Sequence, residues 1–317
     1  MEVDFLKCRI ISPTDDELLR MYKDLWEIFP YDRPIYDEMI KTRKDLHTLK
    51  NYALFKDDEF LGNAALIPFK LYFQDVIIEI IGVGAVATMP AYRNKGIAKR
   101  LMRYCMQIVD GRGLPAALFT ELEEVYRGHG FESVNQEYLA CTIEYGQFDT
   151  NLFEFEIIDS INDSLLSELQ DIYDNSAIID GKVVRDDSYW QMYKMFFNPY
   201  PKPKIILCRK GQLLLGYARF DAEDDRITIT EMWSKEGERI FESMLGRIWK
   251  IAAEQKINIC TFAPAADHPV FKLLSYKGII LSQEPKVVRR ESFMLRPAKG
   301  KQLGSLTRLE WSLADKF

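Results

Sequence analysis

Apolar residues recur at three- and four-residue spacing early in the chain. Leu18, Leu19, Tyr22, Leu25 and Trp26 share one face behind Pro13-Thr14, which predicts an amphipathic helix over residues 15–28. Pro30, Pro34 and scattered charges make residues 31–50 short helix and loop. Runs rich in β-branched and aromatic residues follow at 52–55, 60–69, 71–73 and 76–88. With the Lys56-Asp57-Asp58-Glu59 turn between the first two, they predict an antiparallel meander. At Thr88-Met89-Pro90 the rhythm changes. Ile97, Leu101, Tyr104, Cys105 and Ile108 form the apolar face of a helix over 97–109, opposite Lys99, Arg100, Arg103 and Gln107. Gly111 and Gly113 stop it. Residues 115–120 read as a buried strand, 123–128 as a helical turn, and Gly130-Phe131 leads to a strand at 138–143.

The second half repeats this layout without repeating its sequence. Helices are predicted at 164–175, 188–197, 237–253 and 268–275, and strands at 204–208, 212–220, 226–233, 257–262 and 279–281. The fold class is therefore α+β, as two tandem domains, each a mixed, mostly antiparallel sheet with flanking helices. A polar stretch near 145–155 sets the division at 1–147 and 148–317, the latter ending in a C-terminal tail. Trp190, Met192, Met195, Phe196 and Phe197 have helical spacing and read as core or inter-domain packing.

Length and charge narrow the function. A chain of 317 residues has room for about two cores. Its net charge of -6 argues against nucleic acid, whose phosphates require neutralising Lys and Arg, and is compatible with cationic, amine-bearing molecules. No apolar run approaches the ~18 residues that span a bilayer, and the N-terminus lacks a signal-peptide pattern, so a cytoplasmic protein without a membrane partner is expected. Cys8, Cys105, Cys141, Cys208 and Cys260 are widely spaced and form no Cys/His cluster; reduced thiols, partly core, and no metal site are expected. The partners this leaves are a small-molecule amine and a second copy of the chain in a homo-oligomer.

The chemistry concentrates in residues 86–98. A strand ending at Val86, Ala87 and Thr88 feeds a loop in which Gly96 and Ala98 leave the backbone uncovered where a helix begins. The first N–H groups of a helix lack intrahelical partners, and its dipole favours an anion there. Arg93 and Lys95 add positive charge, so a pyrophosphate-bearing cofactor suits the loop. Taken alone, a Gly in such a turn is common; the preceding strand, the following amphipathic helix and a second strand about 20 residues later make it informative.

Arg93, Gly96 and Ala98 resemble the Gln/Arg-x-x-Gly-x-Gly/Ala signature of the GNAT superfamily of N-acetyltransferases, and residues 124–131, with Tyr126 ahead of Gly130-Phe131, resemble its second motif. The resemblance covers about residues 1–145. It implies acetyl-CoA as cosubstrate, with Val86, Ala87 and Thr88 pairing with its pantetheine arm. Its pyrophosphate would lie on the loop of Arg93, Asn94, Lys95, Gly96, Ile97, Ala98 and Lys99, with Glu121 at the end of the next strand beside it. Residues 86–98 and 118–131 are more specifically similar to the tandem-GNAT, enhanced-intracellular-survival type of acetyltransferase, in which a second, degenerate GNAT fold follows the first. Residues 233–247 occupy the position of a cofactor loop without its motif, as that resemblance leads one to expect. With about 20 residues after Leu295, no counterpart of that type's sterol-carrier-like third domain is expected in these 317 residues.

The resemblance implies direct acetyl transfer to a primary amine of a small molecule or lysine side chain. Tyr126 is then the acid for the departing thiolate. In the resembled group a chain-terminal carboxylate reaches the cleft, which makes Phe317 a candidate base through its α-carboxylate. Glu79 and Glu121 are further carboxylate candidates, Glu123 and Glu124 ordinary helix-start charges, His129 a polar residue before a turn; His47 and His268 have no partners in sequence. A non-catalytic acetyl-CoA sensor and a transferase of another acyl group are the alternatives.

Overall fold

The computed structural model describes residues 7–43, 49–134, 138–143, 148, 152–198, 204–223, 225–262, 268–284, 292–304 and 306. In chain order these form β1 (Cys8–Ile11), α1 (Asp15–Leu25), α2 (Arg33–Thr42), β2 (Lys50–Lys56), β3 (Glu59–Phe73), β4 (Val76–Thr88), α3 (Ile97–Arg112), β5 (Ala116–Thr120), α4 (Glu123–Arg127) and β6 (Glu132–Val134). Then come β7 (Tyr138–Thr142), β8 (Glu154–Ile158), α5 (Asp163–Asp174), α6 (Asp187–Phe197), β9 (Lys204–Lys210), β10 (Leu213–Ala222) and β11 (Arg226–Ser234). The last are α7 (Glu238–Gln255), β12 (Ile259–Phe262), α8 (Pro269–Tyr276), β13 (Ser282–Glu284) and β14 (Ser292–Arg296).

Local chemistry sets the helix ends. The Glu17 carboxylate accepts from the Thr14 N–H at 2.9 Å, and Asn162 and Asp186 cap α5 and α6 by accepting from Leu165 and Tyr189 N–H groups, each at 2.8 Å. Gly113, at φ 67°, ends α3 in the left-handed conformation that glycine adopts freely.

The strands build two seven-stranded sheets, in the orders β1-β2-β3-β4-β5-β14-β6 and β13-β7-β12-β11-β10-β9-β8. Each is antiparallel except for one parallel pair, β4 with β5 and β11 with β12, bridged by α3 and α7 respectively. The strand expected at 138–143 to return to the first sheet instead joins the second as β7, between β12 and β13. In exchange β14, late in the chain, fills the first sheet between β5 and β6. The strand expected at 279–281 lies instead at β13, with Ile280 85% exposed.

Helices α5 and α6 lie between the sheets. Leu169, Tyr173, Trp190 and Tyr193 bury against Ile67, Phe69 and Ile80 on one side and Leu207, Tyr217 and Trp233 on the other. Helix α3 covers the opposite face of the first sheet, with Ile97, Leu101, Cys105 and Val109 on Leu66, Ile81 and Leu118. Helices α7 and α8 cover the second sheet in the same way. Four of the five cysteines are buried in these cores. Helices α1 and α2 pack over Ala53, Phe60 and Ala87, and Met195 and Phe196 of α6 reach both this cluster and the central one.

Candidate active site

Strand β4 pairs with β3 along its whole length, from Val76 opposite Phe73 to Thr88 opposite Gly62. Among the described residues its pairing with β5 is confined to Ile81 with Ala116 and Gly82 with Ala117. Beyond that vertex β5 turns its other edge to β14, from Arg296 opposite Ala116 to Ser292 opposite Thr120. The strands therefore diverge, leaving one edge of residues 83–88 without a strand partner among the described residues. Unmet backbone groups of this kind attract an extended polar chain. Val86, Ala87 and Thr88 stand along this opening.

A bulge re-aims β4 there. Asn63 opposes Ala87 and Ala65 opposes Gly84, so two residues of β4 face Ala64 alone, and Ala85 takes φ 47°. The strand then leads through one 3-10 turn at Pro90–Tyr92 into α3, with Asn94 at φ 62° and Gly96 at φ 81°. The first intrahelical donor is Arg100, whose N–H reaches the Gly96 carbonyl at 3.0 Å. The N–H groups of Ile97, Ala98 and Lys99 thus lie ahead of the helical ladder. No acidic residue stands in the first turn of α3. Arg93, Asn94 and Lys99 are exposed around it, whereas Lys95 folds back, its Nζ donating to the Ala91 carbonyl at 2.7 Å and lying 5.0 Å from the Tyr92 ring centroid. Tyr92 in turn donates to Glu59 at 2.5 Å, bracing the loop against the β2–β3 turn.

Gly62 lets this helix start sit so close. A Cβ at that position would lie 2.5 Å from the Ala87 carbonyl oxygen and 2.9 Å from Ile97 Cγ2. The residues present fit a thioester carrier with a diphosphate: bare amides at the helix start, flanking cations and an unpaired strand edge below.

Tyr126 occupies α4, half-buried, its ring edge-on to Phe131 at 6.2 Å. Burial pushes its phenol above the ordinary value of 10.0, and the Thr120 hydroxyl beside it draws it partly back. At neutral pH it is a proton donor. Thr120 also accepts from the Leu122 N–H at 2.9 Å, tying the end of β5 to α4. Glu121 follows β5 and is exposed. Glu123 has its carboxyl lowered to about 2 by Ser292, Ser133 and Arg127, so it is a structural anchor between α4, β6 and β14. Glu124 is exposed and pairs with Arg127 at 3.5 Å. His129 is held below its usual pKa by burial and by Arg103, Lys99 and Arg296, which make it a neutral neighbour of the cationic α3 face. Glu79 lies on β4 ahead of the paired Ile81 and Gly82, its carboxylate 3.8 Å from Lys70 on the rim of a cavity of about 670 Å³. Phe317 and His47 lie outside the described residues.

The second sheet repeats the frame with a different filling. Gly216 mirrors Gly62: a Cβ there would meet the Trp233 carbonyl at 2.7 Å and Ile240 Cγ2 at 2.8 Å. Here the Met232 carbonyl is already bonded, by His268 Nε2 at 2.7 Å, while His268 Nδ1 accepts from the Val270 N–H at 3.1 Å. Those two bonds fix the neutral tautomer. Buried Glu231 accepts from Arg185 at 2.6 Å, Tyr217 at 2.7 Å, Tyr193 at 2.8 Å and Trp233 at 2.9 Å. Glu236 and Glu238 flank the start of α7. This is chemistry opposite to that of α3, where cations stand.

Sequence reasoning missed Asn63, Asn51 and the Glu231 cluster. Each is a polar residue inside an apolar strand run, and that was the only available signal.

The fold and site together point to a class: residues 9–134 match the family described as an acetyltransferase (GNAT) domain, and the described residues form an α+β fold of two mixed sheets with flanking helices, consistent with tandem GNAT-like domains. The chain resembles a probable N-acyltransferase from Enterococcus faecalis V583, at TM-score 0.64 and 16% identity over 92% of this chain and 73% of that one. It is similar to a GCN5-related N-acetyltransferase from Anabaena variabilis (TM-score 0.63, 16% identity, 91% and 72% covered). It is also similar to Eis1 from Mycobacterium abscessus (0.59, 16%, 92% and 73%). At such identities the likeness is one of fold. No curated protein matches the chain in sequence.

Proposed function

We propose that this chain is an acetyl-CoA-dependent N-acetyltransferase, moving an acetyl group to a primary amine of a small molecule or lysine side chain by direct transfer. The observation that carries the reading is the divergence of β4 from β5 directly below the bare amide start of α3. The cosubstrate supplies an acetyl thioester, whose carbon–sulfur bond is exchanged for an amide bond. In this reading residues 1–147 bind it. The Gly96, Ile97, Ala98 and Lys99 N–H groups hold its diphosphate, with Arg93 and Asn94 at the rim. The free edge at Val86, Ala87 and Thr88 meets the pantetheine arm. Glu121 sits at the opposite lip.

Tyr126 is the residue that protonates the thiolate sulfur as it leaves. Its raised phenol keeps the proton available across neutral pH, and a neutral donor is not repelled by the cations of α3. Residues 148–317 serve as the wall of the acceptor cleft: α6 brings Met195 and Phe196 against the cluster formed by α1, α2 and Ala87.

Thiol release from acetyl-CoA over a panel of amines, beside calorimetric titration of coenzyme A, tests the proposal. Turnover with at least one amine and binding lost in Gly96→Glu is the expected result. Unchanged binding in Gly96→Glu removes the loop assignment. Binding without turnover on any amine identifies an acetyl-CoA-binding module instead, and activity only with longer acyl thioesters identifies another donor.

A further inference from the structure

Asn63 lies on β3 opposite Ala87 and is fully buried. Its amide nitrogen donates twice, to the Ala85 carbonyl at 3.2 Å and to Asn51 Oδ1 at 2.9 Å. Asn51, itself buried on β2, passes the chain on by donating to the Tyr22 hydroxyl of α1 at 3.3 Å and to the Leu49 carbonyl at 3.2 Å. These contacts fix which end of the Asn63 amide is nitrogen. Its oxygen Oδ1 is buried with no hydrogen-bond partner among the described residues.

That combination is informative. A buried acceptor without a donor is costly, and an apolar side chain would fill the site without it. Asn63 therefore costs the fold something that its two donated bonds must justify. One of those bonds ends on the residue with φ 47° that forms the bulge of β4. Left-handed backbone at a non-glycine residue persists only where surrounding groups over-determine it.

We propose that Asn63 is a positioning residue for acyl transfer: by holding the Ala85 carbonyl it fixes the bulge, and thereby the direction in which the backbone groups of residues 86–88 face the thioester. Asn51 and Tyr22 hold Asn63 in turn, so the setting of the bulge is anchored on α1. This rests on the reaction proposed above and adds a residue outside its motifs.

The test uses the full chain with Asn63→Ala and Asn63→Asp, the second nearly isosteric but without the amide donors. Steady-state kinetics with acetyl-CoA and a turned-over amine, coenzyme A titration and hydrogen exchange at residues 84–88 are read on the same samples. Expected are a fall in kcat of about 10-fold or more, the scale of a reacting group displaced by a fraction of an ångström. Coenzyme A affinity should hold within about 3-fold, because the helix-start amides are untouched, and exchange over 84–88 should quicken. Asn51→Ala, which loosens Asn63 without removing it, should give a smaller drop in kcat, and it decides the matter if neither Asn63 variant folds. Wild-type kcat per folded molecule in the variants overturns the role of Asn63 alone. No turnover in the wild-type protein overturns the reaction itself, and this role with it.

Discussion

Gly62→Ala is the smallest change that should move the helix start. The added methyl would lie 2.5 Å from the Ala87 carbonyl oxygen, 2.9 Å from Ile97 Cγ2 and 3.4 Å from Leu101 Cδ1. The first contact is with backbone of the neighbouring strand, which cannot rotate away, so β4 or α3 must shift. Overpacking of this kind costs about 1–3 kcal/mol, and the stiffer unfolded chain returns about 0.4–1 kcal/mol, leaving a loss of about 1–2 kcal/mol. Gly111→Ala is the matched control. It lies in α3 with nothing within 4 Å of the new methyl, and alanine in a helix gains about 0.5–1 kcal/mol over glycine. Urea unfolding should move the two midpoints in opposite directions, Gly62→Ala by about 0.5 M downward for an m of about 2–3 kcal/mol/M. Coenzyme A affinity should fall only in Gly62→Ala, because only there does the N-terminus of α3 move. If Gly62→Ala unfolds at the wild-type midpoint and binds coenzyme A as tightly, the close approach of β4 and α3 to Gly62 of β3 is wrong.

Tyr126→Phe should lower kcat with little change in coenzyme A affinity, and full activity would remove the acid role. Because burial raises this phenol above 10.0, it should stay protonated throughout the neutral range, so any alkaline limb it contributes to the kcat profile should lie above pH 10; a Tyr126-dependent limb near neutrality would contradict its placement. Arg185→Leu strands the buried Glu231 carboxylate and should cost about 3–5 kcal/mol in urea unfolding, whereas adding Glu231→Leu should recover part of it; an additive double variant would refute the pairing. His268 has its pKa lowered from 6.5 to about 4 by burial. Its unfolded form therefore takes up a proton first as pH falls, and stability should decline from about pH 6.5 to about pH 4, by about 3 kcal/mol. His268→Gln should flatten that slope in unfolding measured against pH, and an unchanged slope would reject the assignment.

The helices and the long strands were legible because their periodicity is local. Residues 97–109 and 76–88 announce themselves through 3.6-residue and near-continuous apolar patterns, and both are found, α3 running on to Arg112. The exchange of β7 and β14 was not legible. A five-residue strand such as 138–142 carries the same apolar pattern whichever sheet receives it, and its partners lie over a hundred residues away. The four-residue edge strand β1 was missed for lack of length. In the site, glycine and charge mark the loop, since they are needed for backbone reasons. Asn63 and Asn51 were missed because hydrogen bonds between three strands and α1 leave no spacing to read.

The two sheets show how one frame supports opposite clefts. Both keep the parallel pair, the crossover helix and the glycine that lets that helix approach. What differs is who satisfies the backbone of the parting strand. In the first, the edge of residues 83–88 beyond the vertex meets no strand among the described residues, and cations ring the helix start. In the second, His268 bonds Met232 from inside the protein, Glu231 draws four donors around itself, and carboxylates flank α7. An anionic carrier entering there would have to displace buried hydrogen bonds and approach like charge, each unfavourable by itself. Burying Glu231 is tolerable only because Arg185 and three aromatic donors saturate it, so the cluster that closes the second cleft also pins α6 to β11 through Tyr193. Since α6 also carries Met195 and Phe196 against α1, α2 and Ala87 of β4, the cluster that fills the second sheet also fixes the packing beside the free edge of the first.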